Sequence, residues 1–139
     1  MDKKRLEGRQ VAGFSVAYKI NPDEFPELRE TGIRLEKAAY GAELALQKEY
    51  RGQGTGSALL RQRIERFKGF GYLYMVGRTA IGSEMEPLYR KFEYECLGIL
   101  NQSYPARNYW VSKLATDEVI RDYIDSKTNS GRYYDNRCG

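Results

Sequence analysis

Tyr50-Arg51-Gly52-Gln53-Gly54-Thr55-Gly56-Ser57 is the stretch whose residue types and spacing point most directly to chemistry. Glycines alternating with Gln53 and Thr55 leave backbone N–H groups uncovered by side chains and able to aim into one concavity. A helix starting just behind such a turn adds the partial positive charge of its N-terminus, and Arg51 adds a full one. The result is an anion site suited to a diphosphate. Two familiar phosphate binders fail on spacing. A P-loop closes with Gly-Lys-Ser/Thr, whereas this turn closes with Gly56-Ser57-Ala58. A dinucleotide fingerprint needs G-x-G-x-x-G, and its third glycine would fall on Ser57 or on Leu59.

The turn needs a strand before it and a helix behind it, and the flanking residues predict both. Residues 41–49 read as a strand with Leu44 and Leu46 on one face and Glu43 and Ala45 on the other. Ser57–Lys68 reads as a helix, because Leu60, Ile64 and Phe67 recur at i, i+4 and i+7 while Arg61, Gln62, Glu65 and Arg66 take the other side. Gly69 and Gly71 end it. Tyr72–Val76 is a short apolar strand, so strand, turn, helix and strand form a βαβ unit with parallel neighbours.

Upstream, residues 11–20 mix β-branched and aromatic side chains and end at the turn signal Asn21-Pro22. The acidic stretch Pro22–Gly32, with two prolines, reads as a loop or at most a short helical turn. Downstream, Glu84–Lys91 reads as a second helix with Pro87 in its first turn and Leu88 facing inward. Strands near Tyr94–Leu100 and Tyr109–Leu114 follow, joined as a hairpin through Asn101–Pro105. Thr116–Gly139 begins with a short helix at Asp117–Ile124 and is polar beyond it, with no structure assigned.

The totals bound the chemistry. At 139 residues, with 41% apolar and 30% charged residues, the chain is one globular domain. It contains no histidine, which removes Ser-His and Cys-His nucleophile pairs and nearly every familiar zinc site. Acid–base work must fall to Glu, Asp, Tyr, Lys or water. Cys96 and Cys138, without a secretory signal, make no disulfide framework. Cys96 lies in the apolar run Cys96–Ile99 and reads as a buried, inert thiol rather than an acyl-accepting nucleophile. No apolar run suits a membrane span or a signal peptide, so a cytoplasmic protein is expected. The net charge of +4 favours polyanions and is too small to announce a nucleic-acid binder.

The run from Glu43 to Leu60 resembles the acetyl-CoA signature of the GNAT acetyltransferases. In that family the pattern is Arg/Gln-x-x-Gly-x-Gly/Ala, filled here by Arg51, Gly54 and Gly56, and Leu88-Tyr89-Arg90-Lys91 resembles the family's Leu-Tyr-x-Lys segment. The resemblance covers about residues 11–114. It implies an α/β (α+β) fold: a mixed, mostly antiparallel twisted sheet with a central parallel strand pair flanked by helices. The domain would occupy residues 1–115, and 116–139 would be a polar extension, a short helix and then a flexible tail.

The resemblance also implies a reaction, the transfer of an acetyl group from acetyl-CoA to an amine by direct attack in a ternary complex, without a metal. Backbone amides of Arg51, Gly52, Gln53, Gly54, Thr55 and Gly56 would hold the pyrophosphate. Leu44, Ala45 and Leu46 would pair with the pantetheine arm, and an N–H near Leu46 would polarise the thioester carbonyl. Tyr89 matches the family tyrosine that gives a proton to the departing thiolate. Glu43, next to the expected thioester, is the candidate base, with a solvated edge carboxylate as its bland alternative. The acceptor is a protein lysine, an N-terminus or a small-molecule amine.

Three positions depart from the family pattern. Gly82 stands where members commonly carry Asn, and Glu93-Tyr94 replaces a usual Gly-Phe pair. Only ten residues precede Val11, so the acceptor pocket is expected to be open, built from Asn21–Lys37, or completed by a second subunit in a homodimer. Two other functions stay open. A nucleic-acid- or tRNA-directed GNAT-like protein would use aromatic–basic residues such as Tyr104, Arg107, Tyr109 and Trp110. A CoA-binding module would bind without turnover.

Overall fold

The computed structural model describes residues 13–101 and 107–138, with side chains described at 13–99 and 107–128. The chain runs β1 (Gly13–Lys19), β2 (Ala38–Leu46), α1 (Thr55–Gly69), β3 (Tyr74–Ala80), α2 (Met85–Lys91), β4 (Glu95–Asn101), β5 (Arg107–Lys113) and α3 (Asp117–Cys138). The sheet has the order β1-β2-β3-β5-β4. Only β2 and β3 run parallel, joined by the α1 crossover, and the other neighbours are antiparallel. This is the mixed sheet with one central parallel pair that the sequence predicts.

The alternation of side chains gives the sheet two buried faces. Under α1 and α2 lie Ala39, Leu60, Met75, Tyr89, Tyr94, Trp110 and Leu114. The other face is covered by α3, through Ile120, and by the segment 20–37. That segment holds the short helical turns that the sequence allows there. It makes short 3-10 turns at Pro22–Glu24, Pro26–Leu28 and Leu35–Lys37, and it buries Phe25 and Leu28 completely. Each burial stabilises by about 1.5–3 kcal/mol, which no pattern in a Pro-rich acidic stretch announces.

Element boundaries moved where tertiary pairing overrode local signals. β2 starts at Ala38 rather than 41, because Ala38, Ala39 and Tyr40 pair with Tyr74, Met75 and Val76. It stops at Leu46, and Lys48–Tyr50 turns as a 3-10 helix. β3 reaches Ala80 because β5 pairs with it from Tyr74↔Lys113 to Ala80↔Arg107. The terminal helix runs on to Cys138 instead of ending near Ile124; Ile120, Tyr123 and Ile124 dock its first turns, and helix propagation carries the rest. Cys96 is exposed rather than buried, since β4 is an edge strand and it is Tyr94, just before it, that turns into the core. The expected hairpin pairing of β4 with β5 is present, while residues 102–105 of its loop, like Val11 and Ala12, lie outside the described residues.

Two irregularities shape the site. In the β1–β2 ladder, Ala17 pairs with Gly41 and Val16 with Glu43, so Ala42 is an extra residue, a β-bulge. The β2–β3 ladder ends at Tyr40↔Val76. Beyond it β2 stays with β1 and β3 stays with β5, so the parallel strands part and leave a fork.

Candidate functional site

From Gly41 to Leu46, β2 has no partner strand on its β3 side, a span of about 17 Å of unpaired edge. A groove follows it. Near the fork it holds about 340 Å³ and is lined by Phe14, Gly41–Ala45, Arg63, Arg78, Met85 and Tyr89. A second chamber of about 470 Å³ shares Leu44, Ala45 and Met85 with the first and reaches Leu46, Arg51 and Gly56. The groove ends between Gly52, Gly54, Gly56 and Lys91. Leu44, Ala45, Leu46 and the glycines therefore line one path.

At the far end the turn could hold an anion. Gly52 and Gly54 adopt φ of 78° and 81°, the left-handed region open to glycine. Gly54 is the N-cap of α1, and no side chain caps the helix, so the first-turn N–H groups of Thr55, Gly56 and Ser57 have no intrahelical partner. Gln53 folds back, its Nε2 donating to the Glu49 carbonyl at 2.9 Å. Arg51 Nε donates to the Leu46 carbonyl at 3.3 Å, and its guanidinium lies 4.0 Å from Glu84 in an exposed, weak pair. Lys91 Nζ donates to Ser57 Oγ at 3.0 Å and supplies a second cation at the turn. At Gly56 a Cβ would come within 3.3 Å of Leu46 Cδ1.

At the fork, Tyr89 is 3% exposed. Its hydroxyl fills the space that a Cβ at Gly77 would take. Burial pushes the Tyr89 phenol above the ordinary tyrosine range, and the positive charge of the nearby Arg63 guanidinium pulls it back. At neutral pH Tyr89 is thus a neutral phenol held beside the groove. Glu43 is exposed and lines the same groove. Cross-strand partners share a face, so Glu43 and Ala45 lie with Val16 and Phe14, and Leu44 and Leu46 lie on the helix side with Ser15 and Gly13. Glu43 and Tyr89 enter the fork from opposite faces of the sheet.

Three cations escaped the sequence reading. Lys91 sits in the Leu-Tyr-x-Lys segment without an assigned role. Arg63 falls on the inward stripe of α1, one residue before Ile64, and a charge there was a legible anomaly. Arg78 donates from Nε to the Tyr40 hydroxyl at 2.9 Å and lies 4.7 Å from the Phe25 ring centroid; only the tertiary contacts reveal it. Segment 21–37 contributes nothing to the groove lining at the fork, because its apolar side chains go into the opposite core. Of the aromatic–basic cluster, Tyr104 lies outside the described residues, and Tyr109 and Trp110 are buried, so neither ring offers a face for a base. Among the described residues no group of three or more acidic or cysteine side chains is placed to hold a metal ion. No described helix is long and apolar enough to cross a membrane.

A sequence model of the acetyltransferase (GNAT) domain matches residues 5–96. No curated protein matches the chain in sequence. Among solved structures, an N-acetyltransferase from Staphylococcus aureus superposes with a TM-score of 0.62 at 21% identity, over 76% of this chain and 62% of that one. The alanine N-acetyltransferase of a ribosomal protein from Escherichia coli gives 0.52 at 18% identity, over 58% and 56%. Ard1 from Thermoplasma volcanium gives 0.61 at 17%, over 77% and 66%. At these identities the likeness is one of fold, and the chain spans about three fifths of the length of the first two proteins.

Proposed function

This chain belongs to the GNAT acetyltransferase family, and from that premise we propose that it moves an acetyl group from acetyl-CoA to an amine. The observation that carries the proposal is the continuous groove from the uncapped glycine turn to the fork, with Tyr89 and Glu43 at its inner end. The residues present suit the co-substrate. First-turn N–H groups and two cations answer a pyrophosphate, and the unpaired edge of β2 answers the amide groups of a pantetheine arm. When bound, acetyl-CoA supplies the activated acyl carbon.

The chain's own residues then have defined tasks. An amine with a pKa near 10 is mostly protonated at pH 7, so Glu43 takes its proton, directly or through water. As the C–N bond forms and the C–S bond breaks, Tyr89 gives its phenolic proton to the departing sulfur, and the surplus proton on the acylated nitrogen leaves through water and restores the phenol. A backbone N–H near Leu46 steadies the charge that builds on the carbonyl oxygen.

The acceptor is an amine on a polypeptide. Exposed Phe14 and Glu43 beside the fork support this, as does the fold likeness to an enzyme named for a ribosomal protein's alanine. A second copy completing the acceptor wall belongs to the same reading. A monomeric protein that acetylates a small polyamine far better than any peptide removes both points.

Isothermal titration with acetyl-CoA tests the core of the proposal. The expected result is binding on the order of micromolar, weakened more than tenfold in an Arg51→Ala, Gly54→Ala double variant. Absence of binding to either acetyl-CoA or CoA means that the turn holds another anion, and the proposal falls.

A further inference from the structure

Arg63 is an arginine on the inward face of α1, 5% exposed. Its guanidinium is anchored at the bulge of β2 through Nε and Nη2. Nε donates to Ser15 Oγ at 2.9 Å, and Nη2 donates to the Val16 carbonyl at 3.3 Å and to the Glu43 carbonyl. Nη1 occupies the space that a Cβ at Gly41 would need. Among the described residues no carboxylate pairs with it, so carbonyl dipoles carry the solvation of a buried cation. Gly41 and Gly77 are the residues at which β2 and β3 begin to part. Arg63 from α1 rests on the first and Tyr89 from α2 on the second, so both heads lie at the fork, lining the same chamber.

We propose that Arg63 is a positioning residue that ties the β2 bulge to the Tyr89 hydroxyl and so aims the phenolic proton into the groove. The argument is one of donors and acceptors. A guanidinium only donates, so toward Arg63 the Tyr89 oxygen can only accept, and its own proton must point elsewhere. The groove is the open direction. Once the proton has gone to the leaving sulfur, the phenolate left behind faces a fixed cation, a charge-assisted hydrogen bond of the stronger kind. The ionisable groups around Tyr89 are Arg63 from α1, Tyr40 from β2 and Tyr94 just before β4. Arg78 from β3 lines the same chamber. This inference rests on the reading of Tyr89 as proton donor, and its test is separable from that reading.

The test follows the ionisation of Tyr89 without any substrate, by NMR of the ring carbon bearing the hydroxyl, assigned with Tyr89→Phe. In Arg63→Met, Tyr89 is expected to titrate about one pH unit or more higher than in the unmutated protein. In Arg63→Lys, which keeps the charge but not the fork of donors, the shift is smaller. Gly41→Ala displaces Nη1 while leaving the arginine in the chain, and the same upward direction is expected. In the unmutated protein, one Arg63 guanidinium proton is expected to exchange slowly, and Tyr89→Phe to abolish that protection, which decides the matter even where Arg63→Met does not fold. An unmoved Tyr89 titration in a folded Arg63→Met or Gly41→Ala protein, or guanidinium protection indifferent to Tyr89→Phe, overturns the proposal. A moved titration together with full acetyl transfer by Tyr89→Phe keeps the pairing and overturns the aim of the proton, and the failure then lies with the donor reading.

Discussion

Tyr94 stacks on Tyr89, with ring centroids 4.3 Å apart and planes 18° from parallel, and the same two residues close the C-terminus of α2. The Tyr94 N–H donates to the Tyr89 carbonyl at 2.9 Å, and the Glu93 N–H donates to the Arg90 carbonyl at 3.1 Å. Those are the two bonds of a Schellman cap, completed by an apolar contact between the flanking residues. The cap locks the last turn of a seven-residue helix, and with it the side chain at the fork.

Glu93 is the left-handed residue of that cap, at φ 62°, where the family pattern has glycine. A side chain there costs roughly 1–2 kcal/mol. Glu93→Gly is therefore expected to stabilise the protein, by about 0.5–1 kcal/mol after the extra chain entropy of glycine is counted. The midpoint of denaturant unfolding checks it, and an unchanged or lower midpoint contradicts the strain.

The Tyr94 hydroxyl is buried without a hydrogen-bond partner among the described residues. Removing an unsatisfied buried hydroxyl relieves a desolvation cost of about 1–3 kcal/mol, so Tyr94→Phe is expected to raise the thermal midpoint or leave it level. A clear drop would mean the oxygen has a partner, such as an ordered water.

Burial pushes the phenols of Tyr74, Tyr89 and Tyr94 up. Above about pH 10 the unfolded chain loses these protons while the folded chain keeps them, so the native state binds more protons and stability falls as pH rises. The contribution is complete below about pH 10 and is lost through the raised pKa values, at about 1.4 kcal/mol per pH unit for each tyrosine still protonated. Thermal midpoints measured from neutral to alkaline pH are expected to bend down there, and Tyr94→Phe to make the descent shallower.

Gly77→Ala places a methyl group where the Tyr89 hydroxyl lies. Overpacking of this kind costs about 1–3 kcal/mol. Adding Tyr89→Phe removes the clashing oxygen, so the double variant is expected to be more stable than the sum of the two single effects by at least about 0.5 kcal/mol. Additive effects would separate the two residues. Acetyl transfer is expected to slow in Gly77→Ala with acetyl-CoA affinity nearly unchanged.

Lys91→Ala removes the cation beside Ser57 and the glycine turn. The expected effect is a roughly three- to tenfold loss of acetyl-CoA affinity and a flatter dependence on salt, because one screened charge is gone. Titrations at low and high ionic strength read both.

The sequence by itself determined the parts whose physics is local. Alternating glycines before an amphipathic helix needed no tertiary context to read as an anion turn, and Leu60, Ile64 and Phe67 were enough to orient α1. The order of strand, turn, helix and strand also fixed the parallel pair, because a crossover of that length allows little else. What only the tertiary structure decided depends on residues far apart in the chain. The bulge at Ala42 changes which face each β2 residue takes, and it exists only in the register with β1. The fork opens because β2 and β3 follow different neighbours. Phe25 and Leu28, in a segment that looks like a solvated loop, are core because a sheet face lies under them. Arg63 could be flagged as a charge on an apolar stripe, but its partners Ser15, Val16 and Glu43 come together only when β1, β2 and α1 close on one another. Hydrogen bonds of that kind have no sequence period, so no reading of the sequence alone could assign them.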